Sequence, residues 1–372
     1  MSLKWIVYNI FKIFPIKKNK VLAFSYYGAS YSGSPKYIME YLSKSNENLD
    51  LVWVSINPNK YKNLAFRVIK YNSIVYFYNL ATSKFIITNY RMTKKFVKRN
   101  GQIYIQTWHS SLRLKQIEKD AEKSLSNTYL EMAKHDSKQI DRLIVGSKKS
   151  KEIFKQAFWY DGKYLEIGTP QCDILFKDID ELKQNIFEKL NVDKNKKVLL
   201  YAPTFRNNAN LEIYQLDFLN IKKTLELKFG GEWVILLKLH PHLMNEKMVD
   251  LPNFVINATM FDDSQELMYI ADALITDYSA IMFDFLYTRK PCFLHMIDLD
   301  DYIQNERGLY FNINDLPFLI SKTDYHLLKN IEQLDIEKYK YKLDLFINDF
   351  IESYEKGSAC SGVLDYIKQE MV

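Results

Sequence analysis

Three histidines, a few hydroxyl residues and a few cations recur at one kind of place in this sequence. His109, the run Thr204-Phe205-Arg206, the alternating Lys238, His240 and His242, and Thr276-Asp277-Tyr278-Ser279 each follow a short apolar run. A histidine, with a reference pKa of about 6.5, suits general-base work on a hydroxyl, although a capping or core histidine is the bland alternative. Seven basic residues and no acid lie between Arg91 and Lys115 (Arg91, Lys94, Lys95, Lys98, Arg99, Arg113, Lys115), and their charge is expected to hold His109 neutral. Lys238, His240 and His242 alternate, so an extended chain turns all three to one side, an arrangement suited to a polyphosphate. Thr276 to Ser279 stand where an apolar run passes into helical spacing, and the first turn of a helix favours an anion. Ser279 or Asp277 serves equally well there as an ordinary N-cap. A zinc reading of His240 and His242 finds no third ligand at metal spacing nearby and no cysteine. Asp298, Asp300 and Asp301 have the look of an acidic metal loop but read first as a solvated turn. No Gly-x-Gly-x-x-Gly and no Walker loop is present, which argues against a nicotinamide enzyme or an ATPase.

These residues need strand ends to stand on, and the pattern supplies them. Residues 20–28, 51–56, 84–90, 102–108, 142–146 and 164–167 read as strands, with helices between them over about 34–42, 73–83 and 148–160. Asp178–Leu190 reads as a helix, and the charged break at 193–197 marks a domain boundary. The alternation then restarts, with strands at 197–201, 233–239, 254–256, 273–275 and 292–296 and helices at 217–229 and 264–271. A helix running from 280 to Pro291 follows the polar run, and the last 35 residues or so read as helical. Strands alternating with helices predict α/β architecture, here two doubly wound parallel halves with ligands at the carboxyl ends of strands, in a cleft between the halves.

Composition sets bounds. A chain of 372 residues with 47% hydrophobic and 26% charged residues is a folded protein too long for one ordinary core. The net charge of +6 is concentrated at the start, where the first 20 residues carry five Lys and no acid, so the broad basicity of a nucleic-acid binder is missing. Cys172, Cys292 and Cys360 are far apart and odd in number, which points to a reducing compartment. Within residues 1–18, Leu3, Ile6, Val7, Ile10, Ile13 and Phe14 share one arc, with Trp5 and Tyr8 at its boundary. This segment is too short to span a bilayer, and no small-residue cleavage site follows it. It reads either as an amphipathic helix lying in an anionic membrane interface, with Lys17, Lys18 and Lys20 toward the lipid, or as a helix packed on the protein itself.

The motifs taken together carry a family likeness. Trp108-His109, Tyr201-Ala202-Pro203-Thr204-Phe205-Arg206, Lys238-Leu239-His240-Pro241 and Ile275-Thr276-Asp277-Tyr278-Ser279 with Phe283-Asp284 resemble the CDP-glycerol glycerophosphotransferases, the primases and polymerases of teichoic acids and related capsules. Further matches are Tyr31–Leu42, Gly168-Thr169-Pro170 with Asp173, Arg289-Lys290-Pro291 and Arg307-Gly308-Leu309. The resemblance implies a GT-B-like fold, with two Rossmann-like domains facing a cleft, an acceptor domain over 19–190 and a CDP-donor domain over 191–372, preceded by the amphipathic helix of 1–18. It implies transfer of glycerol phosphate from CDP-glycerol to a hydroxyl of a lipid-linked or polymeric glycan, with release of CMP, at the cytoplasmic face of the membrane. By the same resemblance His109 is the base toward the acceptor, His240 stands near the donor diphosphate, and Arg206, Thr276 and Ser279 fall where contacts to phosphate or nucleotide are expected. With Thr204, Lys238 and Asp277 they form the expected donor-binding set, and no metal or other cofactor is needed if cationic side chains and the helix dipole supply the positive charge. The sequence departs from the family pattern at Ser110, Ala280 and Gln171-Cys172. A ribitol-phosphate transferase, a nucleotide-sugar glycosyltransferase and a non-catalytic assembly protein of the same fold remain the alternatives.

Overall fold

Two parallel sheets carry the chain in the computed structural model, which describes residues 3–206, 214–240, 243, 251–300, 302 and 308–371. Among these residues the first sheet runs in the order β3-β2-β1-β4-β5-β6-β7. Its strands are β1 (Lys17–Phe24), β2 (Asp50–Ser55), β3 (Arg67–Lys70), β4 (Ser83–Thr88), β5 (Ile103–Gln106), β6 (Arg142–Ile144) and β7 (Lys163–Leu165). The second runs β10-β9-β8-β11-β12-β13, with β8 (Lys197–Tyr201), β9 (Trp233–Leu237), β10 (Val255–Asn257), β11 (Ala273–Thr276), β12 (Cys292–His295) and β13 (Leu319–Ser321). Leu22 of β1 sits opposite Val52 and Ile86, and Leu200 of β8 opposite Leu236 and Leu274. The central strands are buried along their apolar runs because helices cover both faces of each sheet. Each sheet changes its direction of growth beside its first strand, at β1/β4 and at β8/β11. The segments that leave those strands are therefore the ones placed to hold ligands.

The chain divides into two compact units, residues 1–111, 117–173 and 352–372 in one and 112–116 with 174–351 in the other. This differs from a division at 190/191. The helix Asp180–Leu190 goes with the second unit, where the Ile179 N–H donates to the Tyr269 hydroxyl at 2.7 Å. The last helix, Ala359–Met371, returns to the first unit, its opening N–H groups at Ala359 and Cys360 donating to Asp173 at 2.9 and 2.8 Å.

The N-terminal segment is helical over Leu3–Phe11 (α1) and then leads into β1. It packs on the helix Ile74–Thr82 (α3) through Trp5 and Tyr8. Tyr8 is fully buried and its hydroxyl donates to the Val97 carbonyl at 2.9 Å. The protein's own body thus takes the aromatic side of the helix. Ile6 and Ile10 of the aliphatic arc stay exposed, as do Ile13 and Phe14 just beyond it. Lys17 and Lys18 are exposed as well. Lys20 is not: it lies buried, its ammonium donating to Asn79 and Thr82 at 3.1 and 3.2 Å, so it has no part in a lipid-facing cluster.

Candidate active site

In the first unit the polar residues gather beyond the carboxyl ends of β1, β4 and β5. Thr107 extends the β5 ladder by one bond, donating to the Thr88 carbonyl, and Trp108 then takes a left-handed backbone with φ of 54°. That turn lifts His109 out of the sheet. Its imidazole is half-buried, 4.4 Å from the Trp108 ring and 6.4 Å from that of Tyr26. The Gln171 amide donates to the His109 carbonyl at 3.5 Å, and its oxygen accepts from the Ser34 N–H at 3.2 Å, at the start of the helix Gly33–Ser43 (α2). Gln171, one of the departures from the family pattern, therefore lies against the histidine segment.

Part of the basic run around His109 is paired with acids from elsewhere in the chain. Arg91 pairs with Glu118 and Asp136, Lys94 with Glu131, and Lys98 with Asp141, while Arg99 donates to the carbonyls of Phe14 and Ala81. Burial pushes the Asp136 carboxyl up to about 6, against the opposing pull of Arg91.

Gly168-Thr169-Pro170 and Asp173 have a docking role. Both oxygens of Glu355 accept from the Thr169 N–H, at 2.8 and 2.9 Å, and a Cβ on Gly146 would run into the same carboxylate. With Asp173 holding the last helix, these residues fasten the returning C-terminal segment to the first unit.

In the second unit Arg206 is the centre of the strand-end cluster. It is buried; its Nη1 donates to Asp277 at 2.5 Å and also to the Thr204 carbonyl, and its Nε and Nη2 grip Asp298 at 3.0 and 3.1 Å. Tyr278 donates to the same Asp298 at 3.0 Å and stacks on Tyr302 at 3.7 Å, and the guanidinium lies 5.0 and 5.3 Å from those two rings. Burial alone would raise the Asp298 carboxyl; the hydrogen bonds and charge of Arg206 outweigh it and hold the group below the usual carboxylate range. Asp298 is therefore the arginine's partner. Asp300 pairs with Lys322 at 3.5 Å, and Asp301 lies outside the described residues. Among the described residues no group of three His, Cys, Asp or Glu is placed to hold a metal ion.

The other expected donor residues separate into two kinds. Asp277 and Thr276 tie strand ends together: Asp277 accepts from the N–H groups of Thr204 and Tyr278, at 2.8 and 2.6 Å, and the Thr276 hydroxyl donates to the Ala202 carbonyl at 2.6 Å. Lys238 also turns inward, donating to the Thr259 and Phe261 carbonyls at 2.8 and 2.5 Å in the loop after β10. Burial lowers its pKa to about 8, with Asp262 and Asp263 opposing. It is not aligned with His240 as the alternation predicts, because the ladder ends at its own N–H and the chain turns there. The remaining three differ in setting. His240 is exposed with its ring 5.1 Å from that of Phe205; the Thr204 hydroxyl has no partner among the described residues; and Ser279, half-buried, accepts from the Ile281 N–H at 3.4 Å. His242 and Arg307 lie outside the described residues. The helix expected to reach 290 is shorter: it spans Ile281–Phe285, tightens to a 3₁₀ turn over Leu286–Thr288 and stops at Arg289 with φ of 58°. Its dipole is correspondingly small. Local reading took Asp298 for part of a solvated turn and missed its pairing, since only the fold brings Asp298 to Arg206.

The family described as CDP-Glycerol:Poly(glycerophosphate) glycerophosphotransferase matches residues 6–369. The chain is 33% identical over 377 residues to the teichoic acid poly(glycerol phosphate) polymerase of Staphylococcus epidermidis, covering 96% of this chain and 51% of that protein, so it spans about half of that relative's length. It is 29% identical over 378 residues to the protein of the same name from Bacillus spizizenii, covering 97% of this chain and 94% of the relative. A solved structure of the wall teichoic acid polymerase TagF superposes with a TM-score of 0.85 at 32% identity, over 99% of this chain and 93% of that one. The GT-B-like fold class read from the sequence is borne out by this likeness and by the two parallel sheets.

Proposed function

The chain belongs to the CDP-Glycerol:Poly(glycerophosphate) glycerophosphotransferase family, and from that premise we propose that it transfers glycerol phosphate from CDP-glycerol to a hydroxyl of a teichoic acid acceptor, releasing CMP. The observation that carries the chemical assignment is His109, half-buried beyond the carboxyl end of β5 with its ring 4.4 Å from that of Trp108. His109 takes the proton of the acceptor hydroxyl as that oxygen attacks the phosphorus bearing the glycerol. The bond from that phosphorus to the oxygen bridging to CMP breaks, and CMP leaves with the electron pair. His240, the Thr204 hydroxyl and Ser279 meet the donor phosphates, while Arg206, Asp277 and Thr276 keep the donor loops in shape. Lys238 supports the loop after β10. The reaction as written asks for no metal or other cofactor.

The acceptor is lipid-linked or polymeric, which calls for work at a membrane surface. The exposed aliphatic side of α1, continued by Ile13 and Phe14 and bordered by Lys17 and Lys18, suits a peripheral seat on an anionic cytoplasmic leaflet. Among the described residues no helix is long and apolar enough to cross a membrane.

A product assay tests the proposal. CMP from CDP-glycerol, dependent on a lipid-linked acceptor extract and lost in His109→Ala while CDP-glycerol still binds, is the expected result. CMP from CDP-ribitol alone moves the protein to ribitol phosphate transfer. A nucleoside diphosphate from a sugar donor moves it to the glycosyltransferases. Wild-type turnover in His109→Ala removes the assigned base.

A further inference from the structure

We infer that Trp108 is a positioning residue for His109, with its backbone clamped by Gln106 and its ring braced by the buried Arg91; this rests on the reading of His109 as the base. Trp108 adopts a left-handed backbone that a bulky residue seldom takes, and such strain persists only where the surroundings over-determine it. The surroundings here are specific. The Trp108 N–H donates to the side-chain oxygen of Gln106 at 2.9 Å, and the Trp108 carbonyl accepts from the Thr107 hydroxyl at 2.9 Å. The Gln106 amide nitrogen in turn donates to the Tyr90 carbonyl at 3.1 Å and to the Tyr104 hydroxyl at 2.9 Å, which fixes which way the amide faces. Side chains therefore hold both polar backbone groups of Trp108.

The indole is placed as firmly. Arg91 stands 5.5 Å from the Trp108 ring and 4.3 Å from Phe158, whose own ring meets the indole edge-on at 4.8 Å. The guanidinium is fixed by Glu118 at 3.1 Å, Asp136 at 3.1 Å and Ser137 at 3.0 Å. The ring thus braced lies 4.4 Å from the His109 imidazole, 30° from parallel. A buried tryptophan serving only to fill space needs neither a left-handed backbone nor a side-chain clamp at both polar groups. Together these contacts set the plane of the imidazole, which is what a base must hold steady to receive a proton along one direction.

The experiment compares Trp108→Leu, Trp108→Phe, Gln106→Leu and His109→Ala in the full chain. It reads kcat and KM for CDP-glycerol with a lipid-linked acceptor extract, together with donor binding and thermal unfolding. Trp108→Leu is expected to lower kcat by about 100-fold with KM for CDP-glycerol changed less than about 2-fold. Trp108→Phe, which keeps an aromatic face against the imidazole, is expected to recover kcat to within about 5-fold of the native enzyme, and Gln106→Leu to lose about 10-fold in kcat. Should Trp108→Leu fail to fold, the Phe and Gln106 variants decide. Native kcat in folded Trp108→Leu or Gln106→Leu, or equal losses for Phe and Leu, overturns the positioning role while leaving an inactive His109→Ala to support the base. Turnover in His109→Ala removes the base reading, and the positioning role falls with it.

Discussion

Replacing Ile10 and Ile13 together by Ser tests the membrane seat without disturbing the fold. Ile13 is 78% exposed and Ile10 54%, whereas the side of α1 that packs on α3 is carried by Trp5 and the fully buried Tyr8. Full burial of an isoleucine is worth about 1.5–3 kcal/mol, so the exposed fractions of these two residues make about 2–4 kcal/mol available to an apolar phase. That range corresponds to roughly two orders of magnitude in partitioning. Isoleucine and serine have similar helix propensities, so α1 itself should change little. Flotation with phosphatidylglycerol vesicles gives the partition coefficient, and thermal unfolding gives the stability of the same samples. The expected outcome is a loss of about 100-fold in vesicle binding with an unchanged unfolding midpoint, and binding of the native chain that weakens in high salt because Lys17 and Lys18 contribute. Undiminished flotation of the double variant would refute the reasoning.

The buried charges give further tests. Arg91→Met leaves Glu118 and Asp136 buried without their cation and should destabilise the first unit by about 3–5 kcal/mol in urea unfolding; adding Asp136→Asn should recover part of that. Because burial holds Asp136 near 6, above its unfolded value of about 4, the native state binds the extra proton between those pH values. The stability this group contributes is therefore fully present below about pH 4 and is lost as pH rises through about 6, on the order of 2–3 kcal/mol. Asp136→Asn should flatten that part of the stability profile. Arg206→Lys keeps the charge but not the fork that spans Asp277 and Asp298, and should weaken CDP-glycerol binding by about 10-fold through the loops it ties, as measured by calorimetry.

How far the sequence speaks depends on the range over which a feature acts. Apolar runs ending in polar residues announce the central strands, because those strands are buried along their length. The strand Arg67–Lys70 escapes notice, since with Ile69 alone buried it alternates too briefly to register, and Leu319–Ser321 is too short. The helix Asn127–Ser137 hides in the same way: its polar face is wide and few of its residues are buried. Strand ends likewise reveal His109, Thr204 and Ser279. Their partners are set by the fold: Asp298 meets Arg206 across 92 positions, and Asp136 meets Arg91 across 45. A window of sequence that shows seven cations and no acid hides the acids that pair with Arg91, Lys94 and Lys98 in the fold.

The two arginines show what a buried cation near a strand end supplies. Arg91 and Arg206 each follow a strand beside the reversal point of their sheet. Each is buried, each meets two carboxylates, Glu118 and Asp136 in one case and Asp277 and Asp298 in the other, and each lies over two aromatic rings. One positive charge against two negative ones leaves no surplus to attract a diphosphate. What such an arginine supplies is geometry, because its planar fork fixes two separate segments at once, which a flexible ammonium does not do. In the first unit those segments are the turn Glu118–Ser124 and the helix Asn127–Ser137; in the second they carry Asp277, at the turn that leads to Ser279, and Asp298. The Thr204 hydroxyl and Ser279, at the ends of β8 and β11, are uncharged. They suit a site whose donor must be held firmly enough to react and loosely enough for CMP to leave.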